Sequence, residues 1–365
     1  MKLVFLDNID IDYTVDTPYQ APLGGSQSAL CYLAEALVQQ GHEVLLVNHS
    51  ATSGMSRGVS VFSFEDDFSP AFAPVPDAAI ILNRAGWAGQ IKPLLDPATR
   101  MVLWMQHADD QPAAQGLQDA SERAHYDGFA FVSEWQRRRF VEAFGIDGAR
   151  CGVMRNAIGP RFADLFAGAE SIASIKTWPP VLAYTSTPFR GLDVLLNVFP
   201  SIRARRQGVR LKVYSSMSVY HDPKGTDPFQ HLYAQARATE GVEYVGSLPQ
   251  PQLADELRRA ALLAYPCTFA ETSCIAAMEA LAAGCRVVTT DLGALDETTD
   301  GFGTLVQPGP AMPEAFAEAC IETIDRAAWA QGEAELRTQI DHVNHTATWA
   351  VRAREWTEWL QALEE

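Results

Sequence analysis

Four consecutive apolar residues, Leu3–Leu6, open the chain, and short apolar runs of the same kind recur along it. They are EVLLVN (43–48), AAIIL (78–82), MVLWM (101–105) and GFAFVS (128–133). A strand that is apolar at every position is buried on both faces, as in parallel sheets covered by helices. Between the first two runs, residues 26–40 carry apolar side chains at 30, 33, 34, 37 and 38. That spacing puts them on one face of a helix, and Gly41 suits its C-terminal end.

The pattern then restarts. ESIASIKTWPP (170–180) keeps no period and ends in two prolines, so it reads as a linker. Beyond it come VLAYTS (181–186), a helical stretch over 191–206, VRLKVYS (209–215), VEYVG (242–246), ALLAYP (261–266) and CRVVTT (285–290). The expectation is an α/β chain of two doubly wound domains in tandem, 1–170 and 171–345. From 346 to 365, Trp349, Ala353, Trp356, Leu360 and Leu363 form one stripe of a terminal amphipathic helix. Three tryptophans, at 349, 356 and 359, are expected to dock it on a domain surface.

Length and composition agree. A chain of 365 residues fits two domains of about 150 residues each. With 47% hydrophobic and 20% charged residues it is not a disordered chain. Apolar runs stay well short of the roughly 18 residues that a membrane helix needs. The start of the chain lacks the long apolar stretch of a secretory signal, so a cytoplasmic protein is expected. Residues 1–170 hold 12 basic and 21 acidic side chains, the remainder 16 and 24. Both parts are acidic, which excludes a broad nucleic-acid surface. One basic cluster, Arg137-Arg138-Arg139, reads as a solvated helix face, with a peripheral membrane contact as the alternative. The six cysteines form no CxxC pair and sit at no zinc spacing, so neither metal nor disulfide is expected.

Two stretches carry chemistry. In LGGSQSAL (23–30), Gly24 and Gly25 lead into a helix with Ser26 as its cap, and the free N–H groups of such a turn suit an anion. It is not a GxGxxG fingerprint, so dinucleotide binding is not supported. In ETSCIAAMEALAAG (271–284), Glu271 follows a strand and Glu279 lies eight residues on, within an apolar helix that starts near Cys274. A carboxylate there needs partners, and a pair of sugar hydroxyls would serve. A capping Glu271 with an exposed Glu279 is the plainer alternative. His107 follows a strand, where a satisfied loop histidine is as good a reading as a catalytic one. Ser133 and Glu134 read as a helix cap, Arg84 as a surface residue, and Asp109 and Asp110 as loop carboxylates.

ETSCIAAMEALAAG resembles the E-x7-E signature of retaining glycosyltransferases of the GT-B fold, family 4. Other pieces resemble that family in the same order: GGSQSALCYLAEALVQQGHEVLLV, VMRNAI (153–158), FRGLDVLL (189–196) and VEYVGSLPQPQLADELRRAALLAYPC. The resemblance covers about residues 1–310 and a terminal helix that returns to the first domain. It implies two Rossmann-like domains facing a cleft, the first binding an acceptor and the second a sugar nucleotide. By it, Glu279 holds the ribose hydroxyls and Glu271 contacts the donor sugar. Arg190 neutralises the diphosphate, with Gly24 and Gly25 approaching it from the first domain. The N–H groups of Ser273, Cys274 and Ile275 face the sugar or diphosphate, and His107 lies beside the transferred sugar.

The chain departs from the family where a second base is usual. Thr185 stands there, with Ser186 beside it, and Thr272-Ser273-Cys274 replaces a glycine-rich loop. The implied function is a retaining transfer of sugar from a nucleotide-diphosphate donor to a carbohydrate or lipid-linked acceptor, in polysaccharide or glycoconjugate synthesis. No metal or other cofactor is expected. The alternatives are a sugar-nucleotide epimerase of the same fold and a non-catalytic sugar-nucleotide-binding scaffold.

Overall fold

The computed structural model describes residues 1–168, 171–220, 227–326 and 332–363. Its contacts divide the chain into two compact units. The first comprises residues 1–18, 25–157 and 349–365, and the second 19–24 and 158–348. The division falls at Ala157 and Ile158, ahead of the 170/171 boundary read from the break in the apolar pattern. Glu170 itself, with the last two residues of the terminal stretch, lies outside the described residues.

In the first unit the described strands are β1 (Lys2–Leu6), β2 (Glu43–Asn48), β3 (Gly54–Ser56), β4 (Val59–Ser63), β5 (Ala78–Leu82), β6 (Arg100–Met105), β7 (Gly128–Phe131) and β8 (Cys151–Val153). They form one sheet in the order β3-β4-β2-β1-β5-β6-β7-β8. All pairs are parallel except β3 with β4. That hairpin escaped the apolar pattern because β4 alternates buried and half-buried residues. Its turn is Arg57-Gly58, both at positive φ, the backbone that a two-residue hairpin requires.

The second unit holds β9 (Val181–Tyr184), β10 (Arg210–Val213), β11 (Val242–Tyr244), β12 (Leu262–Tyr265), β13 (Arg286–Thr290) and β14 (Gly303–Val306). Their order is β11-β10-β9-β12-β13-β14, parallel throughout. Its strands are shorter than the apolar runs suggest. β9 stops at Tyr184, which leaves Thr185 and Ser186 in the loop beyond it. Each sheet also has a point where the winding reverses, between β1 and β5 in the first and between β9 and β12 in the second. In open α/β sheets ligands bind outside the carboxyl ends of the strands at such points.

The stretch from 171 to 180, read as a linker, lies within the second unit. Lys176 is buried and donates to the carbonyl of Ala283 at 2.6 Å. Burial lowers its ammonium to about 8.

The helix Trp349–Ala362 belongs to the first unit. Its Trp356 meets Trp104 of β6 edge-on at 5.1 Å. Trp359 lies over the strands at Gly128 and Gly152, where a Cβ would stand 3.1 and 2.6 Å from its ring. Glycine at these two positions makes room for an indole. Arg352 donates to the Asn156 carbonyl at 3.0 Å, and Arg100 to that of Leu363 at 3.1 Å.

Candidate active site

The reversal point of the second sheet gathers the polar residues. The loop after β9 carries Thr185, Ser186, Thr187 and Arg190, and the loop after β12 carries Cys267 and Glu271. The two loops touch through backbone. Gly191 sits at φ +100°, and a Cβ there would come within 2.0 Å of the Pro266 carbonyl oxygen. Only glycine permits that approach, and it brings the residue before it to Glu271.

Nη1 of Arg190 donates to both carboxylate oxygens of Glu271, at 2.9 and 3.2 Å. The Tyr265 hydroxyl, at the end of β12, donates to Oε1 of the same carboxylate. Ser186 Oγ lies 3.3 Å from that hydroxyl. Glu271 is 2% exposed, so the pair is largely shielded from water. Charge-assisted bonds in such a setting are about twice as strong as neutral ones. Burial, followed by the Glu271 charge, pushes the Tyr265 phenol well above its ordinary range, so it remains a donor.

Glu279 lies on the helix Ile275–Ala282 and is buried among apolar residues. Gly159 N–H donates to its Oε1 at 3.1 Å, and the Gln250 side chain bonds it as well. Burial outweighs both and raises the carboxyl to about 8. It is neither an exposed residue nor a helix cap.

Several polar atoms around these groups are buried with no hydrogen-bond partner among the described residues. They are Thr185 Oγ1, Thr187 Oγ1, Ser215 Oγ and Gln250 Oε1. Buried orphans cost stability unless something completes them. All four belong to residues of the second unit that follow β9, β10 and β11. Thr185, which stands where the family usually has a second base, contributes one of these hydroxyls.

The other residues read from sequence are distributed as follows. Cys274 caps the helix Ile275–Ala282 by backbone, and its N–H is engaged by Thr298 Oγ1 at 3.4 Å, which leaves Ser273 and Ile275 of the three amides expected at a ligand. Gly24 is buried and clusters with the second unit, while Gly25 is the exposed first residue of the helix Gly25–Gln39 in the first. That helix starts one residue early, so Ser26 stands inside its first turn rather than capping it. All six cysteines are free. Among the described residues, no three His, Cys, Asp or Glu side chains are grouped as a metal ion needs, and no helix is long and apolar enough to cross a membrane.

His107 is exposed at the carboxyl end of β6 in the first unit. Its loop is fixed by Gln136, a fully buried residue that sequence reasoning missed. Gln136 Nε2 donates to the carbonyls of Met105 and His107 at 3.0 and 2.7 Å, and its Oε1 accepts from Val132 N–H. Asp109 in the same loop takes a bidentate bond from Arg139 at 3.1 and 2.8 Å. Arg137 pairs with Glu134 at 2.7 Å. Two of the three clustered arginines are thus committed within the fold, which leaves less free charge for a lipid surface. Ser133 caps its helix, accepting from Gln136 N–H at 3.0 Å.

Residues 179–326 match the family model of glycosyl transferases group 1. A D-inositol 3-phosphate glycosyltransferase of Nocardia farcinica (strain IFM 10152) is 25% identical over 214 residues. That match covers 54% of this chain and 45% of the relative, so it spans less than half of the relative's length. Among solved structures, a glycosyltransferase from Rickettsia africae superposes with a TM-score of 0.74 at 14% identity, covering 100% of this chain and 99% of that one. Anabaena HepE, in complex with UDP and glucose, superposes at 0.66 with 16% identity, over 99% of this chain and 100% of that one. Residues 179–326 are thus similar to glycosyl transferases group 1, within a chain that has the fold of the GT-B glycosyltransferases.

Proposed function

We propose that the protein is a glycosyltransferase that takes a sugar from a nucleoside-diphosphate sugar and passes it, with retention, to an acceptor hydroxyl. The observation that carries this is the pairing of Arg190 with Glu271 at the reversal point of the second sheet, with buried Glu279 and four orphaned polar atoms nearby in the same unit.

In this reading the second unit binds the donor. A ribose diol gives Glu279 the donors it lacks, and one hydroxyl completes the orphaned Gln250 Oε1. Arg190 and the N-terminal amides of the helix that follows it take the diphosphate. Cleavage of the anomeric C–O bond leaves negative charge on the distal phosphate, and a pre-placed cation stabilises that charge more in the transition state than before it. The leaving phosphate accepts the acceptor's proton, so no carboxylate nucleophile is required. His107 on the first unit serves the sugar and acceptor. The reaction proceeds without a metal, and its product belongs to a polysaccharide or glycoconjugate made in the cytoplasm.

The test is a thermal-shift panel of UDP, GDP, ADP, dTDP and CMP with their common sugars, with and without EDTA. A ligand selective for the folded state raises the melting temperature with its concentration. One diphosphate series is expected to do so, unchanged by EDTA, and its sugar nucleotide to be consumed when acceptor is present. Binding without consumption for any acceptor supports a scaffold. Release of an isomerised sugar nucleotide supports an epimerase.

A further inference from the structure

Arg190 is held by more than its carboxylate. Its Cζ lies 4.8 Å from the ring centroid of Phe269 and 5.4 Å from that of Phe189. The two rings meet edge to face, 6.1 Å apart at 74°. They form a corner rather than a stack, and the guanidinium sits in it with Glu271 closing a third side. Phe189 leans in turn on Phe229, with centroids 6.0 Å apart. Yet Phe189 is 36% exposed and Phe269 is only half-buried. Phe269 also packs against the core of the second unit, while the more exposed Phe189 has the cation and its two ring neighbours.

We propose that Phe189 and Phe269 are positioning residues for the anion site, holding Arg190 in place when the diphosphate of a donor draws it from Glu271. The inference rests on the donor site proposed above. A cation bound only by a carboxylate must give up that bond to take a phosphate, and its long side chain is then free to wander. The ring faces attract the cation whichever anion it serves. The side chain therefore stays confined through the exchange, and the ordering cost is met in folding rather than in binding. Glu271 keeps the Tyr265 hydroxyl on Oε1, so it is not stranded without a partner.

The experiment measures binding of UDP and of uridine to the full chain, and likewise ADP with adenosine and GDP with guanosine. The readout is the ratio of nucleoside Kd to diphosphate Kd, which isolates the diphosphate. In Phe269→Leu the ratio is expected to fall about tenfold, with the nucleoside Kd unmoved. The fall is smaller in Phe189→Leu, whose ring is the more distant one. Phe269→Tyr keeps the ratio within about twofold, since it keeps the ring face. A ratio unchanged in both leucine variants, or equal losses of nucleoside and diphosphate, overturns the inference while leaving the donor site standing. Failure of the unaltered protein to bind any diphosphate removes the proposed function and this inference together.

Discussion

The backbone N–H of Gly159 donates to Oε1 of Glu279 at 3.1 Å, across 120 residues of sequence. The same glycine leaves a Cβ position only 3.1 Å from that oxygen, so a larger residue there would crowd the carboxylate. The bond stabilises the ionised form, but burial prevails and the group titrates at about 8. In the proposed donor site ribose hydroxyls would bind the carboxylate as donors, so binding must first remove the proton. Diphosphate affinity is therefore expected to rise with pH up to about 8 and then level off. Below that point the slope approaches tenfold per pH unit. Titrations of UDP, ADP and GDP from pH 6 to 9 check this. Glu279→Gln, which carries no proton to lose, should bind weakly and with a flat profile.

The same shift sets a stability dependence of known sign. The folded protein holds a proton on Glu279 up to about 8, whereas an unfolded chain releases it near 4.3. Between those values the native state binds more protons, so this group lowers stability as pH rises. The Glu279→Gln protein is expected to gain on the parent between pH 5 and pH 8, by on the order of a few kcal/mol, and by no more above it. Urea midpoints at pH 5, 6.5 and 8 decide this. A constant difference across the series would contradict a raised carboxyl.

Arg190→Ala should lower turnover of the donor by about 10²–10³, because the leaving phosphate loses a placed cation. Arg190→Lys restores part of the rate, since an ammonium keeps the charge but not the flat guanidinium that fits the ring corner. Initial rates of donor consumption measure both. Equal rates in all three proteins would exclude Arg190 from the reaction.

The glycines beneath the terminal helix make a separate prediction about packing. In Gly152→Ala the new methyl group meets the Trp359 ring at 2.6 Å, and overpacking of this kind costs about 1–3 kcal/mol. In a Trp359→Ala background the same change should cost less than half as much. A double-mutant cycle by urea denaturation gives the coupling. Additive costs would place the strain elsewhere, Met154 being the other near neighbour.

Most of this fold was legible in the chain, for a definite reason. The central strands β1, β2, β5 and β6 are buried on both faces, so each appears as an unbroken apolar run. β3 and β4 lie at a sheet edge, where alternation and short length hide them. The carboxylate pair was legible too, because an acid in an apolar helix is conspicuous. Its environment was not. Glu279 gave no sign of Gly159 or Gln250, which come from other segments. Phe189 and Phe269 carry no mark in the sequence of the guanidinium they border, nor Tyr265 of the carboxylate it bonds. Gln136 sat unnoticed in a run of arginines, since nothing in WQRRRF marks the one polar residue that turns inward.

The near contact of Gly191 with Pro266 also limits how this chain can diversify. Two loops that meet backbone to backbone leave no slack for an inserted or deleted residue, and neither can retreat without carrying the other. In the donor site proposed above, side chains at 185–189 and 268–274 can be exchanged while the course of the main chain through both segments stays fixed. The chemistry is open to drift, and the frame that aims it is not.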